Sequence, residues 1–158
     1  PWITHATIGR VVDKGVKDAN NMGAAMAPAA YDTLTAHFAD TGRRPSDYDL
    51  IVTGDLGSLG LELLQDLFHM DGVEFSNLDD CGVRIYDAQS QDVHCGGSGC
   101  GCSAAVLTGQ LLPRMREGRC RRLLFCGTGA LLSPTSTMQG ESIPGICHAV
   151  AFSASKGG

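Results

Sequence analysis

The sequence is poor in aromatic residues (6%) and in charge (18%), and it lacks any uninterrupted apolar run of the ~18 residues that a membrane-spanning helix needs. It shows no signal-peptide pattern. A basic excess is missing too: the formal net charge is −5, which argues against a broad nucleic-acid footprint. Five arginines do gather at Arg114, Arg116, Arg119, Arg121 and Arg122, and that cluster reads as a solvated helix end and loop. The seven cysteines are an odd number, and several stand in apolar contexts such as Phe125-Cys126 and Ile146-Cys147. They read as reduced thiols of a cytosolic-type compartment. The first residue is Pro1 rather than methionine, so a native N-terminus further upstream is expected.

What is abundant is glycine, 21 residues, together with small and aliphatic side chains; hydrophobic residues make up 43% of the 158. A chain of this length fits one domain with a real core, and a core of alanine, leucine and valine suits close packing of helices on a sheet. Along the chain, 4–12 reads as a strand and 24–39 as a helix with Pro28 near its first turn. The run Asp49-Leu50-Ile51-Val52 reads as a buried parallel strand, and Ser58 starts a helix to about Met70 with Leu59, Leu63, Leu64 and Leu67 at helical spacing. Residues 83–86 read as a strand, 102–115 as a mostly apolar helix with Pro113 near its end, 123–126 as a buried strand, 127–145 as a long loop and 146–152 as a last strand. The order βαβαβαββ implies an α/β fold with a mixed, mostly parallel sheet covered by helices, its last two strands pairing antiparallel.

Four segments have the residue types for chemistry. The turn from His94 to Ser103 places glycines before a helix, where backbone N–H groups favour an anion; alternatively the glycines only permit tight packing. The same turn holds His94, Cys95, Cys100 and Cys102, but C-x4-C-x-C matches neither zinc pairs nor ferredoxin clusters, and no metal is expected. Thr53-Gly54-Asp55-Leu56-Gly57-Ser58 follows a parallel strand, where ligands of open α/β sheets gather. There Asp55 either meets a ligand or cation, or caps a helix with Ser58. Asp79-Asp80-Cys81-Gly82 offers paired carboxylates for a shared proton or a divalent cation, or is a solvated turn. Cys126-Gly127-Thr128-Gly129-Ala130 shapes a pocket wall or a tight turn. His94-Cys95 are neighbours in sequence only, and no motif surrounds His5, His37, His69 or His148.

Several strings, taken in order, resemble the stage V sporulation protein AD family. They are Asn21-Met22-Gly23-Ala24-Ala25-Met26-Ala27-Pro28-Ala29-Ala30, Thr53-Gly54-Asp55-Leu56-Gly57, Asp80-Cys81-Gly82, Asp92-Val93-His94-Cys95-Gly96-Gly97-Ser98-Gly99-Cys100 and Thr128-Gly129-Ala130-Leu131-Leu132-Ser133-Pro134-Thr135. That family resembles thiolases and ketoacyl synthase III enzymes, whose fold is two similar βαβαβαββ halves packed in five layers. The resemblance implies a C-terminal thiolase-like half-domain over residues 1–152 and a flexible tail over 153–158, with the half that would carry a nucleophilic cysteine outside this chain.

In condensing enzymes a histidine follows the strand equivalent to Leu50–Val52, and an asparagine lies in the glycine-rich turn. Here Thr53-Gly54-Asp55 and Gly96-Gly97-Ser98 stand in those places. The resemblance therefore implies no catalytic residue and a non-enzymatic role: binding dipicolinic acid, with or without calcium, for uptake into the forespore. It places His94, Gly96, Gly97, Ser98, Asp55 and Asp80 at the ligand surface, with no resident metal or cofactor. The implied partners are an N-terminal thiolase-like half, other SpoVA-type membrane proteins and a second copy in a homodimer. The implied location is cytoplasmic, peripheral to the spore inner membrane. The alternative is an acyl-transferring thiolase-like enzyme completed by the missing half.

Overall fold

In the computed structural model, which describes residues 1–156, the chain builds one five-stranded sheet with helices against it. Gly157 and Gly158, the end of the expected tail, lie outside the described residues. The elements are β1 (Trp2–Thr7), α1 (Met22–Thr41), β2 (Leu50–Thr53), α2 (Gly57–Met70), β3 (Leu78–Asp80), α3 (Cys81–Arg84), α4 (Cys102–Val106), α5 (Leu112–Arg116), β4 (Arg122–Ala130), α6 (Pro134–Met138) and β5 (Gly145–Ser153). A π-helical turn, Leu107–Leu111, joins α4 to α5. The sheet order is β1-β5-β4-β2-β3. β2 pairs in parallel with β3 and β4, whereas β5 pairs antiparallel with β4 and β1. Four strands therefore point one way and β5 alone runs back, the mixed and mostly parallel α/β arrangement that the element order implies.

The alternation of side chains along a strand sorts the core into two layers. Ile51 and Leu124 join Leu34 of α1 and Leu64 of α2 on one face, while Val52 and Leu123 join Val106, Leu111 and Met115 on the other. A central strand buried on both faces has to be apolar at every position, which is why Leu50-Ile51-Val52 does not alternate with polar residues.

Several boundaries move for identifiable reasons. β1 ends at Thr7, and Val12 makes only an isolated bridge to Gly145 through two hydrogen bonds of 2.8 and 2.9 Å. α1 begins at Met22 because the Asn21 side chain accepts from the Ala24 amide at 3.2 Å. Pro28 thus lies inside the helix rather than in its first turn, leaving the Ala24 carbonyl without its usual partner. The expected strand over 83–86 does not form. The third strand is Leu78–Asp80, and the buried Asp80 side chain accepts from the Val83 amide, turning the chain into α3. The 102–116 helix is continuous but widens to π geometry just before Pro113, whose nitrogen cannot donate to the Gly109 carbonyl. The expected loop over 127–145 is shorter: β4 continues through Gly127 and Gly129 to Ala130, paired with Gly145, and α6 follows. Ser153, expected in the tail, closes β5. No helix among the described residues is long and apolar enough to cross a membrane.

Candidate functional site

The carboxyl ends of β2, β3 and β4 lie side by side, because Thr53 is in register with Asp80 on one side and Cys126 on the other. The chain leaving each strand contributes one polar residue, and two carboxylates tie these exits together.

Asp80 is the inner tie. It is fully buried, and its carboxylate accepts from Thr53 Oγ1 at 2.7 Å, Leu56 N at 2.8 Å, Gly57 N at 3.0 Å and Val83 N at 3.2 Å. Burial pushes its pKa above the ordinary carboxylate range, and the four donors oppose that shift. With four acceptor positions filled it has no oxygen left for a ligand. The expected ligand role of Asp80 is thus replaced by a structural one, the fixing of the 53–57 loop and the start of α3. Asp79 does not share a proton with it, since its side chain pairs with Arg84.

Asp55 is the outer tie. Its Oδ2 accepts from Ser98 Oγ at 2.9 Å and Gly99 N at 3.2 Å, and its Oδ1 accepts from Thr128 Oγ1 at 3.2 Å. Its own amide donates to Thr128 Oγ1 at 3.0 Å. The exit of β2, strand β4 and the glycine-rich turn therefore meet at one carboxylate. Neither helix capping nor a cation is needed to account for its position.

The glycine-rich turn is packed rather than open. Gly97 N donates to Gly82 O at 2.7 Å, and a Cβ on Gly97's neighbour Gly96 would stand 2.4 Å from that same oxygen. Gly57, at φ +70°, lets Ser58 N reach Cys95 O at 2.8 Å, and a Cβ there would stand 2.7 Å from that oxygen. The amides of Gly96, Gly97 and Gly99 are all used inside the protein, by Val93 O, Gly82 O and Asp55. They do not converge as a nest of free donors. His94 has its side chain 87% exposed with Asp92 as its neighbour at 3.7 Å. The turn does bring Ser98 to Asp55, but it leaves His94 outside the depression.

Two shallow depressions flank the Asp55–Ser98 contact. One, of about 310 Å3, is lined by Met22, Met26, Asp55, Ser98, Ser103 and Thr128, among others. The other, of about 130 Å3, runs past Asn21, Leu59, Gly96 and Gly97. Met22, Met26 and Asp55 line both, so α1 supplies the apolar wall. The methionines are functional candidates that motif reasoning left out, whereas Ser103 and Thr128 fall in two of the segments it singled out. Met22, Met26 and Thr128 already stood in the strings that carry the family resemblance.

The buried thiols are unsuited to nucleophilic work. Burial pushes Cys81 up to about 12, and both Cys102 and Cys126 are raised as well, the last mainly by its contact with Cys147. Cys95 and Cys100 are exposed and unbonded to each other. No group of three or more histidine, cysteine, aspartate or glutamate side chains is placed to hold a metal among the described residues.

The comparison with known proteins decides the family. The family model described as Stage V sporulation protein AD matches residues 1–153. The chain belongs to the stage V sporulation protein AD family. A member from Bacillus subtilis (strain 168), itself called Stage V sporulation protein AD, is 48% identical over 151 residues, which cover 95% of this chain. The chain spans 44% of that relative's length. Membership in the family assigns the chain a role in sporulation.

Proposed function

We propose that this chain is a non-enzymatic ligand-binding half of a sporulation protein that takes dipicolinic acid, with or without calcium, for uptake into the forespore. The observation that carries the reading is the depression in which Met22 and Met26 face Asp55, Ser98 and Thr128. Dipicolinate is a flat aromatic ring with two carboxylates. Thioether side chains pack favourably on such a ring, and the Ser103 hydroxyl is suited to one of its oxygens, whereas the Ser98 and Thr128 hydroxyls donate to Asp55. Asp55 adds a negative charge at the same place, which opposes a bare dianion and favours a ligand that brings calcium, an oxygen-seeking cation. The proposal therefore prefers the calcium complex to free dipicolinate.

An acyl-transferring, thiolase-like activity needs a base at this end of the sheet. No histidine lines either depression, and His94 projects to solvent. That supports the non-enzymatic reading. The remaining walls of the pocket belong, on this proposal, to an N-terminal thiolase-like half. The assembly works as a homodimer beside other SpoVA-type membrane proteins, peripheral to the spore inner membrane.

Isothermal titration calorimetry with dipicolinate, alone and with equimolar calcium, tests the reading on this chain and on a protein extended to the relative's full length. The extended protein should release or absorb heat with calcium dipicolinate, and Ser98→Ala should weaken binding. Absence of heat at millimolar ligand in the extended protein would overturn the proposal.

A further inference from the structure

The end of the sheet opposite Asp55 has the opposite electrical character. β4 begins there at Arg122, in register with Ser153 at the end of β5, which is in turn in register with Trp2 at the start of β1. Arg121 joins the same row, because its carbonyl accepts from Ala154 N at 2.8 Å. α5 runs out at Arg116 toward Arg119, and Arg44 enters from the segment before β2. Lys156 Nζ lies 5.5 Å from the centroid of the Trp2 ring. Thus the arginine cluster that sequence alone presents as a solvated helix end is one part of a larger surface that distant segments complete.

Six exposed cations (Arg44, Arg116, Arg119, Arg121, Arg122 and Lys156) share this end of a chain whose net charge is −5. Three carboxylates lie among them: Asp49 Oδ2 accepts from the amides of Arg121 and Arg122 at 2.5 and 2.9 Å, Asp47 accepts from Arg44 N at 2.7 Å, and Glu117 pairs with Arg119, so cations outnumber anions by about two to one. Arg119 is thus paired as Arg10 and Arg84 are with Asp32 and Asp79 elsewhere in the fold, which leaves Arg44, Arg116, Arg121, Arg122 and Lys156 to carry the surface. A depression of about 330 Å3 lies among Ser46, Ser155, Arg121 and Arg122 together with Asp47 and Asp49, so the hollow itself is of mixed charge and the basic surface around it carries the attraction.

Charge alone would suit any polyanion. The apolar residues beside it narrow the choice. Trp2, the single tryptophan of the chain, is 53% exposed, and Ile3 next to it is 67% exposed. An exposed indole with a lysine over its face, set at the margin of a basic surface, matches the water–bilayer boundary, where amphipathic rings sit among headgroups and cations meet lipid phosphates.

We propose that this end of the molecule, Arg44, Arg116, Arg121, Arg122 and Lys156 with Trp2, is a docking surface for an anionic phospholipid bilayer. The Asp55 depression, at the far ends of the same strands, then opens away from the membrane. The surface follows from charge and position and is independent of the dipicolinate reading; it rests on the peripheral location proposed above only for which membrane is met.

Co-sedimentation with vesicles of phosphatidylglycerol and phosphatidylcholine tests it, with pure phosphatidylcholine vesicles as the uncharged control. Binding to the anionic vesicles alone, loss of binding at high salt and a blue shift of Trp2 fluorescence are expected. Arg121→Glu/Arg122→Glu should lower the partition coefficient more than about tenfold, and Arg116→Glu/Arg119→Glu should lower it as well. Unchanged circular dichroism will separate these effects from unfolding. Failure to bind, or undiminished binding by both charge-reversed variants, would overturn the surface. Retention on heparin or on single-stranded DNA without vesicle binding would overturn the bilayer in favour of a polyanionic macromolecule. Sedimentation with native membranes but not with lipid vesicles would keep the peripheral location and assign it to protein contacts instead. Calorimetry with calcium dipicolinate reads the other end of the molecule, so either proposal fails without the other.

Discussion

Thr128 and Asp55 hold each other twice: the Asp55 amide donates to Thr128 Oγ1 at 3.0 Å, and that hydroxyl donates to Asp55 Oδ1 at 3.2 Å. One hydroxyl thus aims the carboxylate and anchors the backbone that carries it. Replacing it by a side chain of the same shape removes both bonds. Thr128→Val should cost about 1–3 kcal/mol of unfolding free energy in urea titrations, because the Asp55 amide loses its partner. Ser98→Ala removes one bond at an exposed position and should cost less, about 0.5–1 kcal/mol. A loss from Thr128→Val no larger than that from Ser98→Ala would show that the reciprocal pair does not hold the site.

Asp80 has a larger expected effect. Asp80→Ala strips four donors of their acceptor inside the protein, those of Thr53, Leu56, Gly57 and Val83. A loss of about 3–5 kcal/mol is expected, or failure to fold. Asp80→Asn keeps one acceptor oxygen and should be the milder variant. Urea midpoints of the two, compared with the parent chain, check the order. Equal stability of all three would mean that the buried carboxylate is not the tie described here.

His37 provides a pH signature remote from the site. It is fully buried between Thr7, 2.8 Å from Nδ1, and the Tyr48 hydroxyl, 2.6 Å from Nε2. Burial is the main cause that lowers its pKa to about 4, and the charges of His5 and Arg43 add to the effect while Asp40 opposes it. The unfolded chain, with a pKa of about 6.5, binds the proton first. Stability is therefore full above about pH 6.5 and falls as pH drops toward 4, by up to about 1.4 kcal/mol per pH unit in that window. His37→Gln, which keeps a donor and an acceptor but cannot titrate, should flatten this part of a plot of urea midpoint against pH. An unchanged slope would assign the pH dependence to other groups.

How much of this was readable beforehand depended on whether the signal was local. The α/β order, the central run Leu50-Ile51-Val52 and the helix with leucines at 59, 63, 64 and 67 follow from periodicity within a few residues. Asp55 and Ser98 stand out in the sequence by their place after a strand and in a glycine-rich turn, and the structure brings their side chains together. Asp80 does not, because its role comes from loss of solvent and from the donors of Thr53, Leu56 and Gly57, which lie 27, 24 and 23 residues away along the chain. The β-branched and aromatic residues of 83–86 suggest a strand, whereas the real strand, Leu78-Asp79-Asp80, hides behind two aspartates, one paired with Arg84 and the other buried among donors from the 53–57 loop. His94 differs: its chemistry suggests a ligand contact, and the structure leaves its side chain 87% exposed, outside both depressions. The basic end was half legible. Five arginines are adjacent in sequence, but Trp2, Arg44 and Lys156 reach them only through the sheet.

Strand β5 sets a further condition. It lies between β1 and β4 and, among the described residues, is the one strand against which β1 pairs, with Trp2 opposite Ser153 and Thr7 opposite Ala149. During synthesis the first strand must then wait, unpaired, until the last has left the ribosome. The edge carrying Trp2 and Ile3 stays open for most of the time this segment is being made. Such long-range closure makes folding slow and late, and it gives a chaperone or a neighbouring nascent chain its widest opportunity before the sheet is complete.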